Sequence, residues 1–327
     1  MNKLLQCLMA VVMLAVHVSA WAADPLPSWN DGPSRRAIIA FVEATTRPGS
    51  PDFVPVDARI ATFDNDGTLW AEQPVYFQLF FVVDRVRAMA PQHPEWTSIE
   101  PYRSVLAGDL EAALASGEKG ITELMSVTHA GMSIDDFAAQ VRAWSARARH
   151  PTTQRRFTGM TYLPMRELLA YLRAHGYTSY IVSGGGQEFM RPWAEQAYAI
   201  PPERIIGSHG ELEYAHRDGA PVLLKRPKVA FVDDHSGKPI AIQRFIGRRP
   251  VFAFGNSDGD LEMLEWTTAG DGPRFAGIVH HTDGAREWAY DRASRIGTLD
   301  KALDAARTHG WTVVDMKAEW RSIYADK

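Results

Sequence analysis

Apolar positions along this chain recur either at helical spacing or in short continuous runs, and the two patterns take turns. Between Ser34 and Thr46, the residues Ile38, Ile39, Phe41 and Val42 fall on one broad face, predicting an amphipathic helix within a lead-in rich in Pro and Gly. Arg59 to Phe63 is a short β-like run that stops abruptly at a polar, glycine-containing stretch. A helical segment from Pro164 to Ala174, with Leu168, Leu169 and Leu172 on one face, leads through Gly176 to a strand at Thr178 to Val182. Further strands are predicted at Pro250 to Phe254, Phe275 to Val279 and Trp311 to Val314, and the stretch from Arg204 to Val232 reads as a hairpin. Strands alternating with helices predict an α/β fold, a parallel sheet covered by helices on both faces.

About 80 residues between the first two strands read differently. Helical spacing recurs there in Leu79, Val82, Val83 and Val86, and again in Phe137, Val141 and Trp144 behind a capping-box-like Ser133. The expected organisation is a discontinuous core, residues 23–74 and 156–327, with an inserted helical domain at 75–155. The aromatic run Tyr76, Phe77, Phe80 and Phe81 is expected in the core of that insertion.

The first residues change the picture of where the protein works. Lys3 is followed by an apolar run from Leu4 to Trp21 that ends in Ala20-Trp21-Ala22, the pattern of a secretory signal peptide spanning residues 1–22. An uncleaved membrane anchor is the alternative, but Gln6 and His17 interrupt the run and no basic cluster follows it. The expectation is a periplasmic or secreted protein, detached from the membrane after cleavage. The net charge is −4, and −5 once Lys3 is removed, so neither nucleic acid nor an anionic membrane is indicated as partner. The single cysteine, Cys7, lies in the leader, which leaves the mature chain with neither a disulfide nor a thiolate nucleophile. The oligomeric state is left open.

Candidate chemistry gathers where the predicted strands end, the position at which open α/β sheets place their sites. Asp64-Asn65-Asp66-Gly67-Thr68 brings two carboxylates onto one loop, where like charges need a cation or a shared proton between them. A hard divalent ion such as Mg2+, bound through carboxylates and a phosphate, is the natural partner, and Gly67 and Thr68 offer backbone N–H groups to an anion. A plain Asp-Gly turn is the other reading of this pentapeptide. Ser183-Gly184-Gly185-Gly186 is a second place for a hydroxyl and N–H groups to hold phosphate at the start of a helix. GxGxxG is missing at this position, and GxxxxGK[ST] occurs nowhere, so nucleotide cofactors are not indicated.

Taken in order, Asp-Asn-Asp-Gly-Thr, Ile-Val-Ser-Gly-Gly, Gly237-Lys238 and Gly-Asn-Ser-Asp-Gly-Asp-Leu-Glu-Met-Leu resemble the motifs of the haloacid dehalogenase superfamily. Within it the chain is similar to the phosphoserine-phosphatase-like branch, which has a helical cap after the first motif. The resemblance covers roughly residues 57–285 and implies a three-layer Rossmann-like core with an inserted cap, and an Mg2+-dependent hydrolysis of a small phosphorylated metabolite. It makes Asp64 the nucleophile and a metal ligand, and Asp66 the general acid and then base; Asp66 is counted with Asp64 among the metal ligands. It assigns the phosphoryl group to Ser183, Gly184 and Lys238, to which the first loop adds Thr68. Lys225 and Lys228 are rivals to Lys238, which is preferred because Gly237-Lys238 followed by Ile240 to Phe245 resembles the helix start where the family places this lysine. Asn256 occupies a position where Asp is commonest, so the remaining metal ligands are Asn256 with Asp260, or alternatively Asp258.

An acid at position 66 favours phosphate esters over halides, whose leaving group needs no proton. Gln73, where phosphoserine phosphatases carry a Glu, does not support strict phosphoserine specificity; Glu72 falls one position early. Trp70 and Glu72 are candidates to face substrate, Trp70 equally a core residue, and His280-His281 is expected at the surface. The leading expectation is an exported phosphomonoesterase. The alternatives are a catalytically weak binding or signalling protein on the same fold, and a phosphotransferase or phosphomutase.

Overall fold

The computed structural model describes residues 24–325, so the predicted signal peptide lies outside the described residues. Seven strands form one sheet: β1 (Ile60–Phe63), β2 (Thr178–Gly186), β3 (Ile205–Arg217), β4 (Ala220–Phe231), β5 (Phe252–Gly255), β6 (Phe275–His280) and β7 (Thr312–Asp315). Their order is β4-β3-β2-β1-β5-β6-β7. Every neighbouring pair is parallel except β3 and β4, which form an antiparallel hairpin at one edge.

Helix α1 (Pro33–Thr46) precedes the sheet, and α2 (Phe77–Met89), α3 (Tyr102–Ala107), α4 (Leu110–Ala115), α5 (Gly117–His129) and α6 (Ile134–Arg147), followed by α7 (Leu163–Ala174), lie between β1 and β2. The chain then adds α8 (Gln187–Tyr198), α9 (Gly237–Ala241), α10 (Leu261–Thr268), α11 (Lys301–His309) and α12 (Met316–Glu319). None of the helices among the described residues is long and apolar enough to cross a membrane.

The period-two geometry of a strand sorts the core into two sides. Phe252 and Phe254 of β5, with Ile181 and Val279, join one apolar cluster, whereas Ala253, Val182 and Ile278 join the cluster on the opposite face. Strands β1 and β5 are buried along their whole length, as expected of parallel strands covered on both sides. A third cluster, including Leu79, Val82, Val86, Trp96 and Leu124, lies within α2 to α5. Helix α6 is capped by Ser133, whose hydroxyl accepts from Asp136 N at 3.1 Å.

Three particulars differ from the sequence expectation. The aromatic run is divided: Phe77 and Phe81 belong to the main core with Phe137 and Trp144, while Tyr76 is 43% exposed. Helix α2 is apolar on two faces, one turned to the main core and one to its own neighbours, which a single periodicity does not separate. Strand β2 does not stop at Val182 but continues to Gly186 through a bulge, because β3 goes on offering partners at Gly207 and Ser208. Helix α8 therefore begins only at Gln187, and Ser183-Gly184 lies on bulged strand rather than at a helix start. The hairpin turns at Asp218-Gly219, both with positive φ, the geometry that matches the twist of paired strands. It reaches the inserted helices, where Gly131 N donates to Lys225 O at 2.9 Å and Lys225 N donates to Met132 O at 2.8 Å.

Candidate active site

Strands β1, β2 and β5 run in register, with Phe63 opposite both Ile181 and Phe254, so their polar continuations meet at one edge of the sheet. Asp64 N donates to Phe254 O at 3.0 Å, fixing the carboxylate at the end of β1. Lys238, only 2% exposed at the start of α9, donates to Asp64 Oδ1 at 2.7 Å and to Asp260 Oδ1 at 2.6 Å. The rival lysines point elsewhere, Lys225 to Glu188 and Lys228 to Glu211.

The other sequence-predicted residues take distinct places. Ser183 is buried, and its Oγ accepts from Gly185 N at 3.1 Å. With Gly184 it lines the same cavity as Asp64, Asp66 and Lys238. Thr68 is fully buried and donates to Asn256 Oδ1 at 3.0 Å, so its hydroxyl ties two loops together and is turned away from the cavity. Asp260 has its second oxygen bonded by Asn256 N at 2.9 Å and Ser257 N at 3.1 Å, which makes it the brace of the loop after β5. Asp258 accepts from Asp300 N and Ala302 N at 2.9 Å each and caps α11.

Sequence reasoning missed several partners. Trp70 is core, stacked on Trp193 with ring centroids 4.2 Å apart, and its Nε1 also donates to Asp66 Oδ1 at 2.9 Å. One indole thus fixes the orientation of the second carboxylate. Glu72, 1% exposed, accepts from Asn256 Nδ2 and from Tyr290 OH, both at 2.8 Å. His281 is not at the surface: it is buried, and its Nε2 donates to Gly67 O at 2.8 Å while Nδ1 lies 3.3 Å from Glu287 Oε2. Gly67 has φ +74°, and a Cβ there would collide with Asn256 and Glu72, so only glycine fits this turn. The spacing of Trp70 from Asp66 was a local signal; nothing local announces Tyr290 or His281, which arrive more than 200 residues later.

Burial dominates the electrostatics. It pushes the Asp66 carboxyl up to about 6, against the hydrogen bond from Trp70. It lifts Asp64 well above the carboxylate range, opposed by Lys238 and reinforced by Asp260 and Asp66. Glu72 rises for the same reason, with Asp66 and Asp64 adding to the effect against the Tyr290 hydrogen bond. Burial works against the charge on Lys238, but Asp260 and Asp64 outweigh it and hold the ammonium charged.

Three buried carboxyl groups, Asp64, Glu72 and Asp260, and the half-buried Asp66 thus crowd round one ammonium, and a hard cation would favour their ionised forms. Among the described residues no three acidic or imidazole groups converge closely enough to hold a metal by themselves. The donor set nevertheless fits Mg2+, which binds few carboxylates and fills its shell with amide oxygen, water and phosphate.

Carboxyl groups with raised proton affinity beside a buried lysine, in a cavity at the strand ends of an open α/β sheet, mark this as the functional site of the fold. A family model described as haloacid dehalogenase-like hydrolase matches residues 61–265, and the chain belongs to that family. Among solved structures, a conserved protein of unknown function from Anaerococcus prevotii DSM 20548 shares the fold. Its TM-score is 0.56 at 15% identity over 93% of this chain and 98% of that one. A protein of unknown function from Bordetella pertussis Tohama I aligns over 79% of this chain and 98% of its own at 16% identity, TM-score 0.49. A phosphoserine phosphohydrolase-like protein from Francisella tularensis subsp. tularensis SCHU S4 aligns over 77% and 99% at 14% identity, TM-score 0.38. No curated protein matches the sequence significantly.

Proposed function

We propose that the chain is an exported, Mg2+-dependent phosphomonoesterase that works through a phospho-aspartyl intermediate on Asp64. The observation that carries this reading is the pairing of two differently held carboxylates at one cavity: Asp64 against Lys238, and Asp66 against Trp70. Asp64 attacks phosphorus while the ester oxygen leaves, and Asp66, with its raised affinity for a proton, donates that proton to the leaving oxygen. Asp66 then takes a proton from the water that attacks the acyl phosphate, which releases phosphate and restores Asp64. Ser183 and the N–H of Gly184 hold the phosphoryl oxygens, and Lys238 offsets their charge. Asp64, Asp66, Asn256 and the nearby Glu72 would hold Mg2+, which when bound neutralises charge between carboxylate and phosphate. Helices α2 to α6 serve as the cap over this site, and the apolar leader supports export.

The test is phosphate release by residues 23–327 from p-nitrophenyl phosphate and a panel of small esters, with Mg2+ or with EDTA. Release should require the metal and fall at least about 10⁴-fold in Asp64→Asn. Metal-loaded, folded protein that releases no phosphate from any ester would refute the phosphatase and favour a binding protein or transfer to another acceptor.

A further inference from the structure

The cavity above Asp64 has a volume of about 280 Å³. An apolar cavity of roughly 150 Å³ holds one benzene, so this one accommodates a phosphoryl group and an organic group the size of a ring or short chain. Its floor is polar, but the walls facing that floor are not: Leu79, Val82, Leu114, Ile121, Met125 and Ile296 line them. Lys238 is the single Lys or Arg among the lining residues, and its ammonium is already shared between Asp64 and Asp260. Four carboxylates, Asp64, Asp66, Glu72 and Asp234, line the same space.

A second phosphate or a carboxylate on the substrate would therefore lose its hydration and meet like charge. A polyol fares little better. Of the polar side chains beside the carboxylates, Gln78 accepts from Gly186 N through Oε1 at 2.7 Å and Ser257 is bonded within its own loop, which leaves the Gln78 amide N–H groups and the Tyr76 hydroxyl. Hydroxyls turned toward the six apolar side chains would find no partner there to replace water.

We propose that this site selects phosphate monoesters whose organic part is small, apolar and carries no second anionic group, such as short alkyl or aryl phosphates. The proposal rests on the phosphatase reading and adds the class of leaving group. Discrimination comes from transfer of the organic group out of water onto the six apolar walls, so it grows with each methylene until the space is filled.

The experiment is kcat/KM with Mg2+ for ethyl, propyl, butyl and pentyl phosphate, whose leaving groups have nearly equal acidity, beside glycerol 3-phosphate, glucose 6-phosphate and 3-phosphoglycerate. We expect a rise of about threefold to fourfold per methylene, and propyl phosphate ahead of glycerol 3-phosphate by at least about tenfold. Met125→Arg should flatten the alkyl series and raise relative turnover of 3-phosphoglycerate. A flat alkyl series, or equal turnover of the polyol and alkyl esters, overturns the proposal and leaves the phosphatase standing. No release from any ester, p-nitrophenyl phosphate included, overturns the phosphatase reading and this one with it.

Discussion

At the scale of single residues, the amide at position 256 decides how the site must balance its charge. Asn256 offers an oxygen to a cation but no negative charge, and its Nδ2 donates to Glu72 Oε1 at 2.8 Å. Glu72 is buried, lines the cavity and has its partners Asn256 and Tyr290 on the same oxygen. Its carboxylate is thus placed one hydrogen bond away from the position where the charge is lacking. Glu72→Gln should weaken binding of Mg2+ about 10-fold to 100-fold, read by calorimetry or by Mn2+ resonance without any turnover. Asn256→Asp in the Glu72→Gln background should recover most of that loss, since the charge returns one residue closer. Unchanged affinity in Glu72→Gln would remove Glu72 from the metal's surroundings. Little of this was legible in the sequence: Asp64, Asp66 and Lys238 stand in recognisable local contexts, but the pairing of Glu72 with Asn256 spans 184 positions and depends on how two loops close.

At the scale of elements, strand and helix positions were legible because each central strand is a short apolar run ending in a polar turn, as in Arg59 to Phe63 and Pro250 to Phe254. The reach of β2 was not, since three glycines carry no pattern and their conformation was set by pairing with β3. The connection from β4 to α9 holds a second buried acid that no motif marked. Asp233 is fully buried, and neither of its carboxylate oxygens makes a hydrogen bond of normal geometry. Burial pushes it up to about 7, against the attraction of Lys238. Because the folded-state value lies above the unfolded one near 3.8, the folded protein favours the protonated form. Its contribution to stability is complete below about pH 4 and is lost as pH rises through about 7. Asp233→Asn should therefore stabilise the protein by about 2 kcal/mol at pH 8 and change little at pH 4.5. Urea unfolding at the two pH values checks this, and an equal effect at both would show that the group does not titrate in the folded state.

At the scale of the whole molecule, the first described residues are part of the fold rather than a lead-in laid on it. Leu26 and Trp29 are fully buried, and Trp29 meets Trp320 edge to face with ring centroids 6.0 Å apart. Trp29 Nε1 donates to Pro164 O at 3.0 Å, Asn30 N donates to Glu319 O at 2.8 Å, and Arg321 N donates to Ser28 O at 2.8 Å. Ser34 closes the clasp, its N and Oγ both bonded to the buried carboxylate of Glu319 at 2.9 and 2.5 Å. The first and last described segments thus hold each other beside α7, and the clasp begins just after the predicted cleavage at Ala22. Every one of these contacts lies within residues 23–327, so the clasp is kept in a chain that begins at Ala23. Trp29→Ala, by contrast, deletes a buried indole and its hydrogen bond and should cost about 3–5 kcal/mol. The comparison is made by urea unfolding of residues 23–327 with and without the substitution. A loss below about 1 kcal/mol would mean that the terminal clasp unfolds separately from the sheet, and that its burial contributes nothing to the cooperative stability of the core.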